Sequence, residues 1–190
     1  MARTRTFIGV AVGESIRASS KAMQQTLARC GADVKWVEPE NLHVTLLFLG
    51  EIGDTDMVNA CRIAAKAAAK EPPFILRVGG VGAFPTPRRP KVLWGGITEG
   101  ADALVRLHAA IEEPLLELGA YRQEERDYTP HLTLGRAAGE ADANLLAVEL
   151  SKHLSWNAGQ TPVEEVLVYR SEMRRDGMEY SILARSPLRG

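Results

Sequence analysis

A chain of 190 residues with 45% apolar and 25% charged side chains has enough apolar material to bury a core without disulfides or metal, which excludes a disordered segment or a stapled mini-scaffold. The formal net charge of −1 supplies no basic envelope, so any contact with phosphate must come from a local arrangement of side chains. No stretch approaches the roughly 18 apolar residues of a membrane span and no apolar leader opens the chain, so a cytoplasmic protein with no membrane partner is expected.

Residues 6–12 form a β-rich apolar run, and residues 14–28 mix charged and apolar side chains at helical spacing before Gly31. Cys30 and Cys61 fall in helical stretches without C-x-x-C spacing and read as reduced thiols. Residues 34–37 are a short strand candidate. Residues 43–49 are a stronger one, closed by Gly50, after which Asp54 or Thr55 is expected to cap an Ala-rich helix ending near residue 70. Strands are predicted at 74–81 and 92–97, joined by the loop 84–90, whose prolines are expected to forbid regular pairing. A helix at 101–118, a strand at 131–134, a helix at 142–154 and a closing pair at 163–169 and 180–184, turning at Asp176-Gly177, complete the chain. Several strands are adjacent in sequence, which favours an α+β fold with antiparallel pairing over a doubly wound parallel sheet. No Pro/Ser/Gly-rich linker divides residues 1–190, so one domain is expected.

One short pattern occurs in each half: Asn41-Leu42-His43-Val44-Thr45-Leu46 and Thr129-Pro130-His131-Leu132-Thr133-Leu134. On a strand, alternate residues share a face, so His43 and Thr45 point one way while Val44, Leu46 and Phe48 point the other. The second copy sets His131 and Thr133 against Leu132 and Leu134. Of two imidazoles facing one substrate, a neutral one can accept a proton while a protonated one donates. That division suits in-line displacement at phosphorus, with threonine hydroxyls donating to the non-bridging oxygens. No His-Glu-x-x-His or paired-cysteine spacing marks a metal site, so neither metal nor cofactor is expected.

The paired motifs resemble those of the 2H phosphoesterase superfamily, and among its branches the RNA 2′,3′-cyclic phosphodiesterases, the LigT-like or ThpR-like 2′-5′ RNA ligases. The likeness extends to Arg5-Thr6-Phe7-Ile8-Gly9-Val10, to Leu46-Leu47-Phe48-Leu49-Gly50-Glu51, and to Gly82-Ala83-Phe84-Pro85 leading into Pro90-Lys91-Val92-Leu93-Trp94. It thus spans nearly the whole chain. The resemblance implies a bilobal α+β LigT-like fold, with two antiparallel sheets flanking a central cleft, helices outside and one motif per lobe. It further implies His43 as proton donor, His131 as proton acceptor, hydrolysis of RNA 2′,3′-cyclic phosphate ends to 2′-phosphomonoesters, and 2′-5′ RNA ligation. The partner is then RNA, with no obligate protein partner and a monomeric chain.

Around these groups, Arg88, Arg89 and Lys91 are candidates to grip RNA phosphates. Arg126 and Tyr128 are candidates to line the cleft, Tyr128 by stacking a base. Phe7 reads as core, His108 and His153 as structural or solvated, and Arg136 as lying on the face opposite the histidines. Two rival readings stay open: a phosphodiesterase for another cyclic phosphate or a 2′-5′ oligonucleotide, and a non-catalytic RNA-binding module.

Overall fold

The computed structural model describes residues 3–121, 127–174 and 177–190. In chain order the elements are β1 (Thr4–Ala11), α1 (Glu14–Ala28), β2 (Val34–Trp36), a 3-10 turn (Pro39–Asn41), β3 (His43–Ile52), α2 (Asp54–Ala68), β4 (Phe74–Thr86), β5 (Arg89–Glu99), α3 (Ala101–Glu117), β6 (His131–Ala137), α4 (Ala143–Ser151), β7 (Asn157–Val163), β8 (Glu165–Arg174) and β9 (Gly177–Pro187). The architecture is α+β with antiparallel pairing throughout, as the adjacent strands of the sequence require.

The two expected sheets are hydrogen-bonded into one. Its strand order is β7-β4-β5-β6-β3-β1-β8-β9, with β2 added to β6. Two arms are still distinct, because β3 and β6 meet through the single pair Val44↔Leu132, whereas β1 and β3 share eight pairs. Each arm therefore contributes one motif strand to a thin central seam.

Strand and helix residues close one main core. Val44, Leu46, Leu132 and Leu134 from the seam pack in the same cluster as Ile16 and Leu27 of α1, Ala60 and Ala64 of α2, and Leu104, Leu107, Ile111 and Leu115 of α3. The 104, 107, 111, 115 spacing is the 3.6-residue period of a helix with one buried stripe, and each such side chain contributes about 1.5–3 kcal/mol on burial. Among the described residues, no helix is long and apolar enough to cross a membrane.

Four local differences from the sequence expectation have physical causes. The prolines of 84–90 do not end pairing: β4 and β5 continue to Pro85↔Pro90 and Thr86↔Arg89 after a register shift at Phe84/Pro85. Two residues without N–H groups face each other there, so neither strand strands a donor of the other. Helix α2 starts at Asp54 with Gly53 at its N-cap and no side-chain cap; Asp54 and Asp56 instead place negative charge in the first turn, where the helix dipole favours it. Strand β7, Asn-Ala-Gly-Gln-Thr-Pro-Val, has almost no β-propensity signal and forms by pairing with β4 at the end of the sheet, where Pro162 is tolerated. The closing pair is longer than predicted, and of its turn only Gly177 lies within the described residues.

A fifth difference shapes the site. Ile8 pairs with Leu47 and Gly9 with Thr45, so Leu46 is an extra residue in β3. Likewise Leu93 pairs with Gly135 and Trp94 with Thr133, so Leu134 is extra in β6. Each motif thus carries a β-bulge at its Leu, and a bulge reverses the alternation that follows it, in β3 as far as a second extra residue at Leu49. Gly9 lies against the first bulge, where a Cβ would fall 2.6 Å from the Val44 carbonyl oxygen.

Candidate active site

Both motif histidines are fixed in the same way. His43 Nδ1 lies 2.7 Å from the Asn41 carbonyl, and His131 Nδ1 lies 2.7 Å from the Thr129 carbonyl. A carbonyl only accepts, so each Nδ1 is the protonated nitrogen and Nε2 is the nitrogen left to exchange a proton. Local sequence arranges this. The 3-10 turn Pro39–Asn41 aims the Asn41 carbonyl, while Asn41 Nδ2 donates to the Met178 carbonyl at 2.8 Å. Pro130 disfavours helical backbone at Thr129, just before His131.

Their surroundings differ. His43 is stacked on Phe7 (ring centroids 4.7 Å, 28°) and touched edge-on by Tyr180 (5.4 Å), while the Thr45 hydroxyl lies 3.0 Å from its Nε2 and donates to the neutral ring. Phe7 is buried, as expected, in a small second core cluster with Leu167 and Tyr169, and this cluster lies against the imidazole. His131 is touched edge-on by Phe84 at 5.0 Å. Burial pushes both imidazoles below the ordinary 6.5; their carbonyl partners oppose this, the charge of His131 lowers His43 further, and that of Arg136 lowers His131.

A cavity of about 380 Å³ opens here, lined by Thr45, Phe48, Phe84, His131, Thr133 and Arg136 among others. The bulges explain two members that strand alternation misplaces. Phe48 is 47% exposed and 5.9 Å from Phe7, on the histidine face rather than in the core. Arg136 returns to the face of His131 and Thr133, although alternation predicts the opposite face. No signal in the sequence announces the extra residues; only the pairing register does.

The structure brings His131, Thr45, Thr133 and Tyr128 to one cavity, with His43 joined through Thr45. Tyr128 packs one ring face on His108 (4.2 Å, 9°) and donates its hydroxyl to the Thr45 carbonyl at 2.9 Å. His108 therefore lies against the cavity wall, a place its helical position does not suggest. His153 pairs with Glu149 at 3.1 Å. Arg88 lies in the β4–β5 turn and Arg89 opens β5, neither among the cavity-lining residues, and Arg89 faces the exposed Glu140 at 3.4 Å. Arg126 lies outside the described residues. Among the described residues no group of three or more His, Cys, Asp or Glu side chains is placed to hold a metal ion.

Two His-x-Thr strands meeting at one cavity of an antiparallel sheet are the arrangement of the two-histidine class. The chain belongs to the 2′-5′ RNA ligase superfamily, whose family model matches residues 7–175. It is 33% identical over 179 residues to the RNA 2′,3′-cyclic phosphodiesterase of Methanothermobacter thermautotrophicus, covering 94% of this chain and 96% of the relative. It is 35% identical to the enzyme of the same description from Archaeoglobus fulgidus, over 94% and 97% of the two chains. Among solved structures, a Thermus thermophilus protein superposes with a TM-score of 0.82 at 29% identity over 98% of both chains. E. coli LigT complexed with 3′-AMP shares the fold, with a TM-score of 0.80 at 24% identity over 99% of both chains.

Proposed function

We propose that this protein hydrolyses RNA 2′,3′-cyclic phosphate ends to 2′-phosphomonoesters by a two-histidine acid–base mechanism that uses no metal or other cofactor. The observation that carries the reading is the matched pair of imidazoles, each holding its Nδ1 proton on a backbone carbonyl and so leaving Nε2 as the nitrogen for proton transfer. The named relatives support the substrate class.

His131 Nε2 takes a proton from water as the water oxygen bonds to phosphorus; the P–O3′ bond breaks, and His43 passes its Nε2 proton to O3′. A 2′-phosphate and a free 3′-hydroxyl result, and proton transfer between the rings through solvent restores the starting state. Thr45 and Thr133 donate to the non-bridging oxygens, and Arg136 offsets the charge that gathers on them. Free His43 is held neutral by burial, so its proton is taken up as the anionic phosphate binds and raises its pKa. Replacing water by the 5′-hydroxyl of another RNA gives a 2′-5′ linkage through the same two groups.

On this reading residues 1–190 form one bilobal cytoplasmic domain, active as a monomer without an obligate protein partner, and RNA is its partner. Arg88, Arg89 and Arg126 are then contacts for RNA outside the reacting end.

The test is turnover, in excess EDTA, of a short RNA ending in 2′,3′-cyclic phosphate, with the phosphate position of the product identified. A 2′-phosphate supports the mechanism. A 3′-phosphate, a requirement for added metal, or binding without turnover contradicts it, and faster hydrolysis of a free cyclic nucleotide or 2′-5′ oligonucleotide moves the substrate assignment.

A further inference from the structure

The two motif strands adjoin at the weakest seam of the sheet. Strands β3 and β6 share one ladder pair, whereas β1 and β3 share eight and β5 and β6 share five. One ladder pair gives the two motif strands little backbone pairing of their own, although an in-line reaction needs both imidazoles placed at once. A second tie crosses this seam beside the cavity: the Tyr128 hydroxyl bonded to the Thr45 carbonyl at 2.9 Å, over a sequence separation of 83 residues.

Both ends of this tie lead directly to a histidine. Thr45 places its own hydroxyl 3.0 Å from His43 Nε2, and Thr129, next to Tyr128, accepts from His131 Nδ1 at 2.7 Å. The tyrosine is itself braced, its ring lying flat on His108 of α3, whose Nδ1 is 3.9 Å from the Glu112 carboxylate. Burial pushes the Tyr128 phenol far above its ordinary value, so it remains a donor across the pH range in which imidazoles titrate.

We propose that Tyr128, braced by His108, is a positioning residue: a latch across the β3–β6 seam that sets the distance between His43 and His131. Tyr128 acts through the backbone of Thr45 and contributes no group to the reacting atoms. The proposal rests on the two-histidine reading of the same site.

The test compares wild type with Tyr128→Phe, which keeps the stacked ring and removes only the hydroxyl, and with His108→Ala. For Tyr128→Phe, kcat on the cyclic-phosphate RNA falls about tenfold while KM stays within about twofold, since mispositioning taxes the transition state more than binding. His108→Ala, which removes the flat brace, falls about fivefold in kcat, by the same reasoning. A wild-type kcat in Tyr128→Phe, or a loss confined to KM, overturns the latch. Histidine ring NMR spectra without substrate give a readout independent of activity. The latch predicts that the His43 and His131 signals both move in Tyr128→Phe while His153 stays in place. Unmoved signals overturn it even if the RNA is turned over, whereas moved signals with no turnover by wild type sink the functional reading and leave the latch standing.

Discussion

The motif strand β3 encloses its histidine, whereas β6 presents its histidine at the cavity. His43 is packed on Phe7, edged by Tyr180 and bonded at both ring nitrogens; His131 is bonded at Nδ1 and lines the cavity with Thr133 and Arg136. The same four residues, His-x-Thr-Leu with a bulge at the Leu, therefore make two different chemical environments. The difference comes from the neighbours the strand pairings supply: β1, backed by β8, brings Phe7 and Tyr169 beneath His43, while β5, paired with β4, brings Phe84 beside His131. An enclosed imidazole whose Nε2 accepts from a hydroxyl suits a group that gains its proton only when substrate arrives. An imidazole at the cavity suits one that meets water.

The sharpest way to break this contrast is to remove each ring. His43→Ala and His131→Ala each lower kcat/KM by about 10²–10⁴-fold, the range of one general acid or base. They separate in stability, because only the first opens a hole over Phe7 and Tyr169. Thermal unfolding is expected to show a lower Tm for His43→Ala than for His131→Ala, and equal values would contradict the enclosed-versus-open distinction.

Removing a guanidinium from the developing charge comes next. Arg136→Gln lowers kcat/KM by about 10–100-fold, a loss of about 1.4–2.7 kcal/mol of transition-state stabilisation. It also lets the pKa of His131 rise toward 6.5, because the arginine charge holds it down. A proton NMR titration checks this, and an unmoved His131 would place Arg136 away from the ring.

The pH dependence is subtler. Both free-enzyme pKa values are lowered, so kcat/KM is expected to peak on the acid side of 6.5. The bound anion raises that of His43, so the alkaline limb of kcat lies at higher pH than that of kcat/KM. Coincident alkaline limbs would argue against proton uptake with the substrate.

The smallest expected effect is in stability. A histidine whose folded pKa is depressed contributes stability that is fully present above its unfolded value and is lost as pH falls through 6.5 toward the folded value. Denaturant unfolding at pH 5 and pH 7 should show a drop at the lower pH that is smaller in a His43→Phe variant. An equal drop in both would assign it to other groups.

Much of this contrast is legible in sequence, but only up to the bulges. The stripe of Leu104, Leu107 and Ile111 announces α3, and alternation puts His43 with Thr45 and His131 with Thr133. Counting by twos past Leu46 and Leu134 then puts Phe48 and Arg136 on the wrong face, because an extra residue reverses alternation without any residue type that marks it. Strand β7 escapes notice for a related reason: Gly159, Gln160 and Pro162 become a strand through pairing with β4, not through local preference. The role of His108 is hidden because a helix period shows which face is buried but not what it is buried against.

The division of labour between the two rings is tested most directly with an RNA whose cyclic phosphate carries sulfur in place of the 3′ bridging oxygen. A thiolate departs without a proton, so the acid becomes dispensable and the base does not. His43→Ala is then expected within about tenfold of wild type on the sulfur substrate, while His131→Ala stays about 10²-fold or more below it. Equal impairment of both variants, or rescue of His131→Ala alone, would contradict the assignment of His43 as the acid and His131 as the base.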